Sequence, residues 1–226
     1  MNKPLIYLGC TANLGIFNFV CEQNNIRIHG IVDNDYWGNT AELQGIPVVG
    51  GEASFDFASA KDHYNFFIAS SVIPAVPRDR VKRLAFIELV NQHKLNCQTL
   101  IDPAARVCKG AVVEQGCFVG FQAAISYDAV MKAHSQVNAY ASIGHHSILG
   151  QNSVLERRAM VISNVEIGDN VHIGAGVICV NHSGIVIGDN SEVHPGIVLM
   201  RDVEPNEVVY IGGKNSRRIY KNVIRD

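Results

Sequence analysis

Two adjacent histidines in Ile143-Gly144-His145-His146-Ser147 are the residues best suited to move a proton near neutral pH, where an unperturbed imidazole exchanges one. His145 is the first candidate for a general base, and His146 stands beside it. A second candidate is the turn Gly9-Cys10-Thr11-Ala12-Asn13-Leu14-Gly15, which follows the apolar run Leu5-Ile6-Tyr7-Leu8. A glycine turn ahead of a helix exposes backbone N–H groups to a phosphate and adds the helix dipole. Asp33 and Asn34, at the end of the next apolar run, stand where a carboxylate accepts hydrogen bonds from a ribose or a base. The complete GxGxxG is absent, so this region reads as a nucleotide site rather than a redox one. Lys214, Arg217 and Arg218 form a basic cluster near the C-terminus that suits further phosphates. The six cysteines include no CxxC pair, and His134, His172 and His194 do not fall at the spacing of a shared zinc site. No metal is expected.

The elements that must position these groups come in two kinds. In the first half, short apolar runs alternate with amphipathic stretches, the pattern of a small α/β lobe with a parallel sheet. Leu5 to Leu8, Ile26 to Val32 and Phe66 to Ala69 read as strands. Ile16 to Glu22 and Arg78 to His93 read as helices.

From Ile101 the period becomes six. Apolar residues occupy Ile101, Val107, Val113, Val119, Ile125, Met131, Val137, Ile143, Leu149, Leu155, Val161, Ile167, Ile173 and Cys179 without a slip. Four residues after each stands a small or β-branched residue, among them Cys117, Ala123, Ser135, Ala141, Ser147, Ser153 and Ala159. Neither a helix nor a flat strand sustains a period of six, but a triangular solenoid does, with one hexad per face. The aliphatic residue then points inward and the small one sits near the corner. Three hexads close a coil, so residues 18 apart stack on neighbouring coils. By that spacing Asp128 and Asn164 border His146, and Asp128 is the expected orienting carboxylate of the base. After Cys179 the phase slips and resumes at Ile187, Val193 and Leu199, with Val180 to Gly184 as a loop; Val208 to Gly213 and the basic tail are expected to cap the end.

A length of 226 residues with 47% hydrophobic residues supports a lobe at 1–98 and a solenoid at 99–226, each with its own core. A formal net charge of −2 leaves no general field for nucleic acid or an anionic membrane. No apolar stretch approaches the roughly 20 residues of a membrane span, and the N-terminal residues lack a signal-peptide run. A cytoplasmic location is expected.

Hexads of this regularity resemble the left-handed parallel β-helix acyltransferases. The order of a small Rossmann-like α/β lobe followed by the solenoid is similar to the subfamily of sialic acid O-acetyltransferases and nucleotide-linked amino-sugar N-acetyltransferases. The residues that carry the resemblance are the Gly9 to Gly15 turn, Ile31-Val32-Asp33-Asn34, Gly45-Ile46-Pro47-Val48-Val49-Gly50-Gly51, and the run from Asn138 to Gly150 in which His145 takes the catalytic position. The sequence departs from that pattern in three places. His146 stands where relatives carry Glu or Asp, Asn13 replaces a His, and Gly212-Gly213-Lys214-Asn215 replaces Gly-x-Pro-Ala.

The resemblance implies a homotrimer that uses acetyl-CoA or another acyl-CoA as donor, with His145 as base. It implies that the Ser163 N–H stabilises the thioester oxygen, with Asn164 and Gly174 beside the donor and Lys214, Arg217 and Arg218 on its phosphates. The acceptor is expected to be a nucleotide-linked sugar held by Gly9, Cys10, Thr11, Ala12, Asn13, Asp33, Asn34 and Asn138. N-acetylation is the leading expectation. O-acetylation of a sugar hydroxyl and a non-catalytic nucleotide-sugar-binding scaffold stand as alternatives.

Overall fold

The computed structural model describes residues 3–11, 14–70, 77–180, 183–212 and 216–221. The chain divides into two compact units, 1–103 and 104–226. The stretch around 97–101 belongs with the first because Phe66 and Cys97 form a parallel bridge and Asn24 Nδ2 donates to the Ile101 carbonyl at 3.0 Å.

The first unit is an α/β layer. Strands β1 (Leu5–Leu8), β2 (Ile28–Val32), β3 (Glu42–Leu43), β4 (Ile46–Gly50) and β5 (Asn65–Ile68) lie in the order β3-β4-β2-β1-β5, parallel except where β3 meets β4. All four residues of β1 are buried, as a central parallel strand covered on both faces requires. Helix α1 (Leu14–Gln23) buries Leu14, Phe17, Val20 and Cys21, a stripe at helical spacing. On the other face a short α2 (Phe57–Ala60) and the long α3 (Pro77–His93) close a core around Ile6, Leu8, Val32, Phe66 and Phe86.

Three boundaries differ from the sequence reading. Leu14 and Gly15 belong to α1 rather than to the turn before it. The second strand starts at Ile28, because Asn25 adopts a left-handed φ of 55° and the Ile26 N–H returns to the Cys21 carbonyl. The β3–β4 hairpin turns through Gln44 and Gly45, both at positive φ, a two-residue turn without the Asn-Gly signature.

The second unit is a triangular parallel β-helix. Two- and three-residue strands recur every six residues and stack into three sheets. Ala124–Ile125 pairs with Ser142–Ile143 below, which pairs with Met160–Val161, each step 18 residues. Beyond Cys179 the step widens to 20, with Val165 opposite Ile185, so the two-residue slip leaves the stack intact. The inward column is buried from Val119 through Cys179, whereas Val107, in the first coil, is 37% exposed.

From Cys117 to Val177 the small or β-branched residues after each corner are buried too. At Ser147 and Ser153 the hydroxyl is satisfied inside the wall: Ser147 Oγ donates to the Ile162 carbonyl at 2.9 Å and accepts from the Val165 N–H at 3.1 Å, and Ser153 Oγ donates to the Gly168 carbonyl and accepts from the Val171 N–H. Each corner itself turns through a left-handed residue, at every sixth position from Gly110 to Gly176. Glu207–Gly212 continues one face, and Ser216–Lys221 pairs with it antiparallel at the end of the stack.

Candidate active site

His145 sits one residue before a corner, and its surroundings fix it from three sides. Ile143 is buried in the core. A Cβ on Gly144 would lie 2.5 Å from the Ile162 carbonyl carbon and 2.7 Å from the Ser163 nitrogen, so only glycine lets the two coils approach here. The Asn164 N–H donates to the His145 carbonyl at 3.1 Å. The half-buried imidazole then lies flat on the ring of Tyr127, centroids 4.9 Å apart and planes 9° from parallel. His146 stands edge-on to both rings, at 5.0 Å from His145 and 5.6 Å from Tyr127.

The nitrogens of the two histidines face different surroundings. Nδ1 of His145 is buried and has no hydrogen-bond partner among the described residues, which leaves Nε2 as the nitrogen to meet a ligand. Asp128 Oδ2 lies 3.9 Å from His146 Nδ1, and both side chains are more than half exposed. The sequence expectation that Asp128 orients His145 is therefore not met by a hydrogen bond at Nδ1. The 18-residue stacking sets Asp128 against His146 and Tyr127 against His145. Asn164, next in that column, is exposed at a left-handed corner with φ 60°. Ser163 is half-buried beside Gly144, and among the described residues its N–H donates to nothing.

Asn138 and Gly174 lie on another face. Asn138 Nδ2 donates to Glu156 Oε2 at 3.1 Å, the start of a polar ladder. His172 Nε2 lies 3.6 Å from Glu156, its Nδ1 lies 3.8 Å from Glu192, and His194 Nε2 lies 3.5 Å from Glu192. Burial would raise the Glu156 carboxyl, but His172, the Arg157 N–H and the Asn138 amide together hold it below its ordinary value. Gly174 is buried and donates to the Val193 carbonyl at 2.7 Å, and a Cβ there would strike Pro195 and His194. Its observed role is close packing between coils. Among the described residues no group of three or more His, Cys, Asp or Glu is arranged to hold a metal ion.

In the first unit the strand ends make a separate polar cluster. Asp33 is fully buried; its Oδ1 accepts from Lys82 Nζ and from the Asp35 N–H, while Oδ2 has no hydrogen-bond partner among the described residues. Lys82 also reaches Asp35 at 2.7 Å. Burial would lower the Lys82 ammonium, yet the two aspartates outweigh it and raise it. Gly9, at φ 76°, packs so closely that a Cβ would lie 2.8 Å from the Phe86 ring and 2.9 Å from Ser70. Among the described residues Ser70 Oγ is buried without a hydrogen-bond partner, and the buried Arg83 donates to the Ile68 and Ser70 carbonyls. The half-buried Cys10 thiol is raised by burial and then by Asp33, opposed by Lys82. Asn34 is exposed, its N–H on Glu52, and Thr11 is half-buried. Ala12, Asn13 and Lys214 lie outside the described residues. Arg217 and Arg218 belong to the strand Ser216–Lys221, opposite Ile211 and Tyr210.

Sequence reasoning missed Tyr127, Lys82, and a corner formed by Tyr140, Arg157 and Arg158. The spacing of 18 was the signal for the first, since Tyr127 precedes His145 by one coil.

Residues 146–181 match the family model described as bacterial transferase hexapeptide (six repeats), and residues 164–201 match hexapeptide repeat of succinyl-transferase. No curated protein matches the chain in sequence. In structure the chain is similar to the acetyltransferase domain of PglB from Neisseria gonorrhoeae FA1090, solved in complex with acetyl coenzyme A, at 19% identity over 96% of this chain and 99% of that one, with a TM-score of 0.80. It is similar to WeeI from Acinetobacter baumannii AYE at 19% identity, the same coverage and a TM-score of 0.78. PerB from Caulobacter crescentus, solved with CoA and GDP-perosamine, is 20% identical over 96% of this chain and 97% of that one, with a TM-score of 0.59. These likenesses show the fold: parallel sheets of hexapeptide repeats in a left-handed β-helix-like arrangement.

Proposed function

We propose that this protein transfers an acetyl group from acetyl-CoA to the amino group of a nucleotide-linked sugar, with His145 as the general base. The observation that carries the reading is the half-buried His145 ring, lying flat on Tyr127 beside the Ser163 N–H, which donates to nothing among the described residues. A base with a fixed ring plane next to a free backbone donor is what acyl transfer from a thioester needs. Support for the donor and acceptor classes comes from the structurally similar proteins, PglB holding acetyl coenzyme A and PerB holding CoA and GDP-perosamine.

The acceptor amine attacks the thioester carbonyl carbon, and His145 Nε2 takes the proton that the nitrogen sheds as the C–N bond forms. The Ser163 N–H faces the developing oxyanion. As the C–S bond breaks, His145 returns the proton to the departing thiolate. His146 and Asp128 flank the base as an exposed pair. Asn164 and Gly174 line the donor side, and Lys214, Arg217 and Arg218 serve its phosphates. Asn138, fixed by Glu156, contacts the acceptor. The N-terminal unit, read as Rossmann-like, holds the nucleotide at the turn from Gly9 to Asn13 and at Asp33 and Asn34, beside the Lys82 ammonium that pairs with Asp33 and Asp35. The working form is a homotrimer in the cytoplasm.

The test is thiol release from acetyl-CoA, followed with a thiol-reactive dye, for wild type and His145→Ala. The acceptors are nucleotide-linked amino sugars, with sialic acids as a hydroxyl-bearing comparison. Release with an amino sugar and a loss of about 100- to 10,000-fold in the variant is the expected result. Release only with hydroxyl acceptors would replace N- by O-acetylation. Turnover undiminished in His145→Ala would remove the base.

A further inference from the structure

We infer that the corner of the β-helix formed by Tyr140, Arg157 and Arg158 is a binding site for a phosphorylated nucleotide. A groove of about 530 Å³ opens there, lined by Tyr140, Arg157, Arg158, Ala175 and Gly176. Its size lies in the range of small-molecule sites. Its lining contains two guanidinium groups and no carboxylate, on a chain whose net charge is −2. Among the described residues neither Arg157 nor Arg158 has an ion-pair partner. The acid next to them, Glu156, is turned away toward His172 and Asn138.

The aromatic half of the site is equally defined. Tyr140 is half exposed, braced edge-on by Phe121 at 5.5 Å, and Arg158 lies over its ring at 5.7 Å. Ala175 and Gly176 form a floor without bulky side chains, and a Cβ on Gly176 would meet nothing within 4 Å. The guanidinium fork matches phosphate oxygens, and an exposed aromatic ring offers a face for a base.

Tyr140 and Arg158 occupy successive positions of one corner column, at φ 62° and 60°, as the left-handed geometry of every corner from Gly110 to Gly176 requires, so the 18-residue step sets one side chain beside the other.

Two sources supply this chemistry, and either would make this corner a further contact in addition to the residues assigned above: the phosphorylated adenosine end of coenzyme A, or the nucleotide of the acceptor sugar. Naming them rests on the acyl-transfer reading, but the test needs no turnover. The full-length chain is titrated calorimetrically with coenzyme A, 3′-phosphoadenosine 5′-diphosphate, UDP, GDP and inorganic pyrophosphate. The proteins are wild type, Arg157→Gln/Arg158→Gln, Tyr140→Ala, Tyr140→Phe and His145→Ala. Removing both arginines is expected to weaken nucleotide binding by about 100-fold and to flatten its salt dependence, at roughly ten-fold per arginine. Tyr140→Ala is expected to cost about ten-fold for nucleotides and little for pyrophosphate, with Tyr140→Phe restoring the base contact.

Arginine-dependent binding that prefers the 3′-phosphorylated probes supports the site with coenzyme A as source. Arginine-dependent binding that prefers UDP or GDP supports it with the sugar nucleotide as source. No binding of any nucleotide by wild type, or affinities unchanged in the arginine variant, overturns it. Arg157→Lys/Arg158→Lys keeps the charge without the fork, is expected to weaken binding by a smaller factor, and replaces the glutamine variant should that fail to fold. His145→Ala is expected to bind every probe as wild type does. A failure of the acyl-transfer reading would thus appear as absent turnover with this binding pattern intact.

Discussion

Two corners of the β-helix use one device for different ends. At the first, Tyr127 lies one coil before His145 and supports its imidazole; at the second, Tyr140 lies one coil before Arg158 and supports its guanidinium. The 18-residue step sets both pairs, since each ring and its basic partner are neighbours in a column. The first pair is stacked within 9° of parallel and its imidazole is half-buried, whereas the second pair is exposed. The decisive difference is chemical. An imidazole exchanges its proton near neutral pH, and a guanidinium holds its charge throughout. A repetitive wall supplies placement, and on the reading proposed above the basic group at each corner decides between moving a proton and holding an anion.

The sharpest way to test that division is to remove each supporting ring. Tyr127→Ala is expected to lower kcat about ten-fold or somewhat more while leaving KM for the donor within about two-fold, because the ring stacks on the proposed base and fixes its plane. Tyr127→Phe keeps the stack and is expected to restore most of kcat. The matching change at the other corner, Tyr140→Ala, should raise the nucleotide Kd and leave the chemical step of bound substrate intact. A rise in donor KM without loss of kcat in Tyr127→Ala would show that the two corners do not divide the work.

A smaller effect is expected at Asp128. Its contact with His146 is 3.9 Å long between two exposed side chains, the geometry of a surface pair worth about 0–1 kcal/mol. Asp128→Asn should therefore change kcat by less than about five-fold. A loss of about 100-fold in steady-state turnover would mean that the carboxylate acts on His145 during the reaction, and the base would then owe its orientation to Asp128 as well as to Tyr127.

How much of this is legible in the chain depends on which forces repeat. The inward column and the small residues beside the corners recur every six residues because each coil buries the same positions, so the spacing alone places Ile143, Ser147 and Leu149. The two-residue slip after Cys179 is visible for the same reason. Val107 breaks the pattern because a residue of the first coil lacks the cover that later coils receive. Side chains on the outer wall have no such constraint. Tyr127 and Tyr140 look like ordinary hexad residues until the coil step pairs them with His145 and Arg158. Lys82 is legible in no local pattern, since its partners Asp33 and Asp35 lie 49 and 47 residues away. The resemblance located His145, but only the side-chain geometry shows Tyr127 beneath it and Asp128 beside His146.

Glu156 separates the ladder of one face from the cations of the second corner, and its charge state gives the smallest and most specific prediction. Burial opposes ionisation there, but His172, the Arg157 N–H and Asn138 favour it more, with Glu192 facing His172 from the next coil. The carboxyl is thereby held below its ordinary value of 4.5. A depressed carboxyl contributes stability that is fully present above its unfolded value and is lost as pH falls through its folded value. Wild type should therefore exceed Glu156→Gln in urea-unfolding stability at pH 6, by about 1 kcal/mol or less given the partial exposure, and the gap should narrow steadily as pH falls below 4.5. A gap that does not narrow on acidification would mean that the side chain acts by packing rather than by charge. Because the carboxylate faces His172 and not the guanidiniums, the same variant should leave anion binding at Arg157 and Arg158 within about two-fold of wild type. A marked tightening would show that Glu156 already neutralises that corner in the native protein.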